Sequence, residues 1–241
     1  MTYNRKVLGY ALLQFLNQIL KDAMLILLSI APILSGIFFR FGIPFIQSLL
    51  TRYLNKPDLL SPYYLLFDLL MGSLTPLLYC FASAYVILGE IDDGISKYYA
   101  VTPIGKKGYL ISRLGFPSLI SFIISIMVLY VFKLSELSLM NILIIAFIGA
   151  MLGMIEALLV VSLSGNKVEG MAVSKLSGLF FLGLPAPFFI SGKIQYTLFF
   201  LPSFWLSKAA TDKQIIFALI GVIVSIAWIV GLYQRFKKKI M

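Results

Sequence analysis

Six long stretches of the chain contain no charged residue, and this feature limits the fold more than any other. The stretches run from Ala23 to Phe39, Leu69 to Gly89, Leu114 to Phe132, Leu137 to Ile155, Leu176 to Gly192, and Gln214 to Gln234. An α-helix rises about 1.5 Å per residue, so about 20 residues cross the hydrocarbon core of a bilayer. Because backbone polar groups in lipid must bond within their own segment, the sequence predicts an all-α integral membrane protein.

The distribution of positive charge predicts the topology. We expect one transmembrane domain over residues 1–241, with spans near residues 23–39, 63–89, 109–132, 137–163, 172–192 and 214–234. Six spans place both termini on one side. If that side is the cytoplasm, it receives 13 of the 20 Lys and Arg residues, as the positive-inside rule requires. The net charge of +10 is therefore interpreted as a topology signal of a multi-pass inner (plasma) membrane protein, not as nucleic-acid binding.

The chain lacks the residues of common catalytic sites. It has no histidine, which excludes His-based zinc sites and Ser-His catalysis, and its single cysteine, Cys80, excludes an intramolecular disulfide. The motifs HExxH, GxSxG and GxxxxGK followed by Ser or Thr are absent. We therefore expect no enzyme activity, no bound metal and no bound cofactor in this chain, and any ATP must be held by another subunit.

Two segments flank the spans without crossing the bilayer. Residues 5–22 are predicted to form an amphipathic helix, either at the cytoplasmic interface with its apolar face in the lipid or without membrane contact. Its faces are Gln14, Asn17, Gln18 and Lys21 on one side, and Leu8, Leu12, Phe15 and Ile19 on the other. The uncharged stretch Ile194 to Ser207 is too short to span and predicts a re-entrant or surface hairpin between spans five and six.

The fourth span contains a GxxxG motif and a glutamate, and each can be interpreted in two ways. Gly149 and Gly153 form a GxxxG motif, which allows close approach of a helix either inside the bundle or across a dimer interface. Glu156 is the deepest ionisable residue. A charge at this depth costs a few kcal/mol, so Glu156 is either a cavity group for substrate, proton or partner, or a carboxylate reaching the inner interface.

The loop over residues 90–108, which leads on to Arg113, is the longest charged segment on the predicted cytoplasmic side. Gly94 is predicted to end the helix of span two. A short helix is expected from Ile95 to Val101, carrying Tyr98 and Tyr99. Thr102 is typical of an N-cap and Pro103 of a first helical position. The simpler alternative is a plain loop with topology charges.

This loop resembles that of the type-2 ABC exporter permease family. The matching pattern is Glu90-x-Asp92-Asp93-Gly94, then Thr102-Pro103, then a Tyr and a Leu leading into span three. The amphipathic N-terminal helix, six spans, inside termini and a broken outer hairpin ending in Pro202 to Trp205 extend the resemblance over most of the chain. Within that family the chain is most similar to small permeases of drug-export type, fluoroquinolone exporters among them.

The resemblance implies a permease subunit of an ATP-driven exporter for a substrate that is drug-like or amphipathic. It implies a second permease, identical or related, and two separate ATPase subunits that bind ATP and Mg. These dock on a coupling helix in the loop, at positions matching Glu90, Asp92, Asp93, Gly94, Tyr98, Tyr99, Thr102 and Pro103. Substrate would pass at the interface between the two permeases, lined by spans one, two and five. The residues alone leave open an ion-coupled secondary transporter using Glu156, and a purely structural subunit.

Overall fold

The computed structural model describes residues 5–54, 58–95 and 105–240, and within these ranges the fold is all-α with no strand. The α-helices are α1 (Arg5–Lys21), α2 (Ala23–Ile37), α3 (Ile43–Leu54), α4 (Tyr64–Asp92), α5 (Gly105–Leu110), α6 (Phe116–Phe132), α7 (Leu139–Leu163), α8 (Lys167–Ser177), α9 (Ala186–Phe189), α10 (Pro202–Asp212) and α11 (Ile215–Ile240). The predicted all-α class is confirmed.

Five helical stretches among the described residues are long and apolar enough to cross a membrane. They cover Ala23–Leu54, Ser61–Asp92, Gly108–Phe132, Leu139–Leu163 and Ile215–Lys239. One π-helical turn, Phe38–Gly42, joins α2 to α3, and a second, Ile111–Gly115, joins α5 to α6. These stretches correspond to the predicted spans one, two, three, four and six.

The predicted fifth span is not a continuous helix. Its residues are divided between α8, a 3-10 helix over Gly178–Gly183 and the single turn α9. The α-helix ends at Ser177, well before Pro185, and Pro187 lies within the short turn α9. The count of six continuous spans is therefore not confirmed.

The segment that connects α7 to α11 nevertheless runs back along the length of α7. At one end, the Nζ atom of Lys239 in α11 donates to the carbonyl oxygen of Val161 in α7 at 2.7 Å. At the other end, Asn141 of α7 and Ile215 of α11 line one cavity. Helices α7 and α11 are thus parallel, so the broken segment between them leads back to the end where α11 begins.

Two buried serines donate hydrogen bonds to backbone carbonyl oxygens of this irregular segment. Ser203 and Ser207 of α10 are fully buried, and their hydroxyls donate to the carbonyl oxygens of Phe180 and of Leu184, the latter at 2.7 Å. Non-helical backbone at membrane depth is tolerated only where protein satisfies it in this way. Residues Pro202 to Ser207 are buried in the bundle, so a surface position is wrong for that half of the predicted hairpin. Its re-entrant path stays a prediction.

Helices α4 and α7 form the centre of the bundle, and the two glycines of the GxxxG motif lie where they touch. A Cβ at Gly153 would stand 2.6 Å from the Pro76 carbonyl oxygen, and one at Gly149 would stand 3.1 Å from the Gly72 carbonyl oxygen. The face that these glycines present is occupied by α4 of the same chain. This is the arrangement expected for packing inside the bundle.

Pro76 lies inside α4 and leaves one backbone acceptor without its usual helical donor. Because proline has no N–H, the carbonyl oxygen of Gly72, four residues earlier, cannot receive the standard helical bond. The hydroxyl of Ser125 in α6 donates to this oxygen at 2.8 Å. A side chain of a neighbouring helix thus supplies the donor that the proline removes.

We expect Ser125→Ala to lower the free energy of unfolding by about 1 kcal/mol, the usual net value of one buried hydrogen bond. The same substitution in a Pro76→Ala background is expected to cost less, because the restored N–H of residue 76 can serve the Gly72 oxygen. Unfolding of the four proteins in mixed micelles measures this coupling. Equal costs in both backgrounds would contradict the assignment of the Ser125 bond to the proline defect.

A buried carboxylate holds the turn between α6 and α7. Asp68 of α4 is fully buried and accepts hydrogen bonds from the backbone N–H groups of Leu134 and Ser135, both at 2.8 Å. The hydroxyl of Ser135 donates to the same carboxylate. Since these donors satisfy the charge, Asp68 fixes the ends of three helices at the predicted outer side.

The N-terminal helix packs differently from the prediction. Phe15, on its predicted lipid-facing side, is buried against Leu25, Tyr85 and Val86. A second set of apolar side chains is exposed: Tyr10, Leu13, Leu16 and Leu20. Phe15 and Ile19, two of the four residues on the predicted apolar face, therefore pack against α2 and α4 and not in the acyl boundary.

Candidate functional site

The first candidate site is a buried ion pair that joins the two ends of the predicted coupling loop. Glu90 lies in the last turn of α4, and Arg113 lies in the π-helical turn before α6. The Arg113 Nη2 atom is 2.6 Å from Glu90 Oε1, and Arg113 Nε is 3.2 Å from both carboxylate oxygens. Arg113 is 0% and Glu90 2% exposed. The predicted contact residue Glu90 is thus enclosed by its own chain.

Three further side chains enclose this pair, which we call the loop clamp (Glu90 and Arg113). The guanidinium carbon of Arg113 lies 5.4 Å from the ring centroid of Phe15 and 5.9 Å from that of Tyr109. Gln18 of α1 donates to Glu90 Oε1 at 3.1 Å. Aromatic faces and an amide replace water around the charges, so α1, α4 and the start of the third span meet at one point.

Sequence reasoning missed the partner of Glu90. From the sequence alone, Arg113 is a topology charge, and Gln18 and Phe15 lie on two faces of an isolated helix. A usable signal was present: Arg113 directly precedes an uncharged stretch, and a charge at a span end that becomes buried needs an opposite charge nearby. The identity of that partner depends on which helices are neighbours, and one sequence does not state this.

Asp92 and Asp93, which follow Glu90, are both exposed, and Asp92 also bonds to another helix. A carboxylate oxygen of Asp92 accepts from the backbone N–H of Lys167, the first residue of α8, at 3.1 Å. This places a negative charge at the positive end of a helix dipole and ties α4 to α8. Asp93 is exposed. Helix α4 ends at Asp92, and Gly94 follows with a φ of +71°, which confirms Gly94 as the predicted helix stop.

The centre of the loop falls outside the described residues. The predicted short helix with Tyr98 and Tyr99, and the predicted cap formed by Thr102 and Pro103, belong to residues 96–104. The structure describes the chain up to Ile95 and again from Gly105. The structure therefore shows the two ends of the loop, which the Glu90–Arg113 clamp holds together.

The second candidate site is a cavity of about 450 Å³ against the face of α4, which we call the Glu156 cavity. Its wall is formed by the first, second and broken fifth segments, with one residue of the fourth: Leu28, Leu70, Leu74, Leu77, Leu78, Phe81, Glu156, Ser174, Lys175, Gly178 and Phe181. Glu156 is fully buried, whereas Lys175 is exposed. The cavity therefore has a mostly apolar surface, with Glu156 buried in its wall and the ammonium-bearing Lys175 exposed.

Comparison with known proteins decides the family. Residues 15–233 match the family described as fluoroquinolones export permease protein Rv2686c-like. The chain belongs to this family. Two curated relatives, the fluoroquinolones export permease proteins MT2760 and Rv2686c of Mycobacterium tuberculosis strains CDC 1551 and H37Rv, are each 25% identical over 229 residues. Each alignment covers 91% of this chain and 89% of the relative. No solved structure matches.

Both candidate sites of this Rv2686c-like permease lie inside the matched region. The loop clamp, the Asp92 tie to α8 and the Glu156 cavity all fall within residues 15–233. The resemblance to a drug-export permease, based on the loop pattern, is confirmed by the family match. The chain is thus a multi-pass membrane protein of an exporter family, with a buried ion pair at the loop ends and an apolar recess beside α4.

Proposed function

We propose that this chain is the membrane-spanning subunit of an ATP-driven exporter for drug-like amphipathic compounds, in the plasma membrane with both termini in the cytoplasm. The chain itself is not an enzyme: ATP and Mg are bound by two copies of a separate ATPase subunit. A second permease, identical or related, completes the transporter. The observation that carries this proposal is the loop clamp, because it makes a long polar loop mechanically continuous with two spans.

The clamp has the properties that a force-transmitting element requires. A loop tethered only by backbone would absorb the movement of a docked subunit in its own torsions. The 2.6 Å contact between Arg113 and Glu90 holds the last turn of α4 beside the start of the third span, so the loop ends move as one body. Nucleotide binding in the partner can then shift the spans through contacts at this loop.

Asp93 is the described residue best placed to touch an ATPase. It is exposed directly beyond the clamp, next to the positive-φ Gly94 that turns the chain away from α4. Asp92 and Glu90 are committed to contacts within the chain. We therefore assign Glu90, Asp92 and Gly94 to shaping the loop, and Asp93 to contact with the partner.

We expect Asp93→Lys to reduce ATPase association about tenfold, because reversing a charge at an interface costs on the order of 1.4 kcal/mol. The measurement is the amount of P-loop ATPase that co-purifies with the tagged permease from native membranes. Glu136→Lys, the same charge change on the exposed turn at the opposite end, is the matched control and should retain the ATPase. If the Asp93→Lys variant binds the ATPase normally, the proposed contact between Asp93 and the ATPase is wrong.

Reconstitution tests the proposed function as a whole. The permease and its ATPase in liposomes are expected to move a fluoroquinolone only with hydrolysable ATP. A chain that elutes alone, and moves the same compound along a proton gradient with no ATPase, would contradict the proposal. That result would favour the ion-coupled carrier with Glu156 as the proton group.

A further inference from the structure

Helix α3 begins at the end of the bundle opposite the loop clamp, at the boundary of the hydrocarbon core. Arg40, in the π-helical turn before α3, donates from Nη1 to the carbonyl oxygen of Lys133 at 2.7 Å. Lys133 is the C-cap of α6 and belongs to the turn that Asp68 holds. Because charged side chains are costly inside lipid, this turn marks the level at which the hydrocarbon core ends.

The helical stretch that includes α3 is longer than a bilayer needs. It covers 32 residues, Ala23–Leu54, or about 48 Å at 1.5 Å per residue, against a hydrocarbon core of about 30 Å. The residues up to Gly42 already span that core, so α3 is the excess. A π-helical turn, Phe38–Gly42, and then Pro44 lie at this point. Both are features at which helices change direction, so the helix axis can turn at the membrane boundary.

One edge of α3 faces the protein and a second edge is polar. The side-chain amide of Gln47 donates to the Ser61 hydroxyl at 2.9 Å, and its carbonyl oxygen accepts from the Tyr64 hydroxyl at 2.6 Å. These bonds attach α3 to the start of α4. Ser48 and Arg52, four residues apart and therefore on one side of the helix, are both exposed.

The remaining face of α3 is apolar and exposed. Phe45, Leu49 and Tyr53 recur every four residues, and Phe45 is 63% and Tyr53 81% exposed. The exposed apolar surface is continuous with that of the preceding span, since Phe38 and Phe41 of the π-helical turn are exposed as well. The environment that surrounds the apolar span therefore extends to this face without a change of neighbour.

We propose that α3 is an interfacial helix whose apolar face (Phe45, Leu49 and Tyr53) binds phospholipid at the boundary between headgroups and acyl chains. The leaflet is the one at this end of the bundle, which is the outer leaflet in the proposed topology. An apolar face with aromatic residues beside a polar edge that carries arginine is typical of this boundary. The inference goes beyond transport, because it assigns α3 as a lipid anchor for the start of the second span.

Spin labels on α3 of the full chain in nanodiscs test this proposal. The chain has one cysteine, so Cys80→Ala allows a single new thiol at each chosen position. Collisions with oxygen report lipid, and collisions with a water-soluble nickel complex report water. Labels in Leu49→Cys and Tyr53→Cys should be reached mainly by oxygen, at about 5–10 Å into the boundary. Labels in Ser48→Cys and Arg52→Cys, the matched controls one residue away, should be reached mainly by the nickel complex.

Lipid composition provides a second readout. Because the bound face is apolar, the preference for oxygen at Leu49 and Tyr53 should persist in nanodiscs of neutral phosphatidylcholine and of anionic phosphatidylglycerol. A preference that appears only with the anionic lipid would overturn the proposal, since charge and not the apolar face would then hold the helix.

Two further results would overturn the proposal. If the nickel complex reaches all four labels, α3 projects into water. If the Leu49 and Tyr53 labels are shielded from both reagents, protein covers this face, as a second copy of the chain would. If Cys80→Ala does not fold, the labels can be attached with Cys80 retained, because its thiol is buried. The assay contains no ATPase and no substrate, so its outcome is independent of the exporter assignment.

Discussion

Replacing Arg113 by methionine is expected to lower the free energy of unfolding by about 3–5 kcal/mol, the usual cost of breaking a buried ion pair from one side. Methionine fills much of the arginine volume, so the loss comes mainly from charge. Glu90, 2% exposed and still bonded by Gln18, would remain in an enclosed site without its guanidinium partner. Thermal unfolding in detergent and the yield of monodisperse protein measure the effect.

A double variant separates charge from shape at the loop clamp. Glu90→Leu combined with Arg113→Met replaces the pair by apolar groups of similar volume, and most of the lost stability should return. Glu136→Gln, an exposed carboxylate far from the clamp, should match the unaltered protein throughout. A single Arg113→Met variant that unfolds like the unaltered chain would show that the pair contributes nothing to stability.

The double variant also addresses function. If the clamp only stabilises the fold, a stable Glu90→Leu/Arg113→Met protein should transport normally with its ATPase. If the directional pair fixes the loop for force transmission, the stable double variant should hydrolyse ATP with little transport. We expect the second result, because apolar side chains of similar volume pack without the three directed Arg113–Glu90 hydrogen bonds.

Replacing Gly153 by leucine is expected to lower the free energy of unfolding by about 3 kcal/mol or more. A Cβ at this position would stand 2.6 Å from the carbonyl oxygen and 2.8 Å from the carbonyl carbon of Pro76. These are backbone atoms of α4, which cannot move aside as the end of a flexible side chain can. Helices α4 and α7 would have to separate, and the centre of the bundle would lose its closest packing.

Gly231 provides the matched control for this substitution. It lies within a membrane-spanning helix, α11, and a Cβ there would meet nothing within 4 Å. Gly231→Leu should therefore be neutral or slightly stabilising, because leucine has the higher helix propensity. Unfolding in mixed micelles compares the two variants. Similar stabilities for Gly153→Leu and Gly231→Leu would mean that α4 and α7 are not in close contact.

Much of the fold could be predicted because membrane insertion depends on local composition. An uncharged stretch of about 20 residues is long enough to span whatever its neighbours are, and this gave spans one, two, three, four and six. Gly94 was predicted as a helix stop from its backbone freedom alone, and its φ of +71° agrees. Both inferences use only residues close together in the chain.

The broken fifth span shows where composition is insufficient. Residues 172–192 are apolar enough to predict a helix, and their prolines indicated a disturbance but not its form. The segment is irregular because Ser203 and Ser207 of α10 satisfy its carbonyl oxygens, and Gly183 allows α10 to approach closely. A backbone departs from helix in lipid only where a neighbour supplies such donors, so the outcome depends on a residue some 20 positions away.

The sequence by itself determined the membrane class, five of the spans, the end of α4 and the loop pattern that pointed to an exporter permease, because each of these depends on local hydropathy or on a short motif. Only the tertiary structure decided that Glu90 pairs with Arg113, that Gly149 and Gly153 pack on α4, and that Glu156 and Lys175 share one cavity. Those contacts join residues on different helices. Helices in lipid choose their neighbours by packing and paired polar groups, and hydropathy does not record that choice.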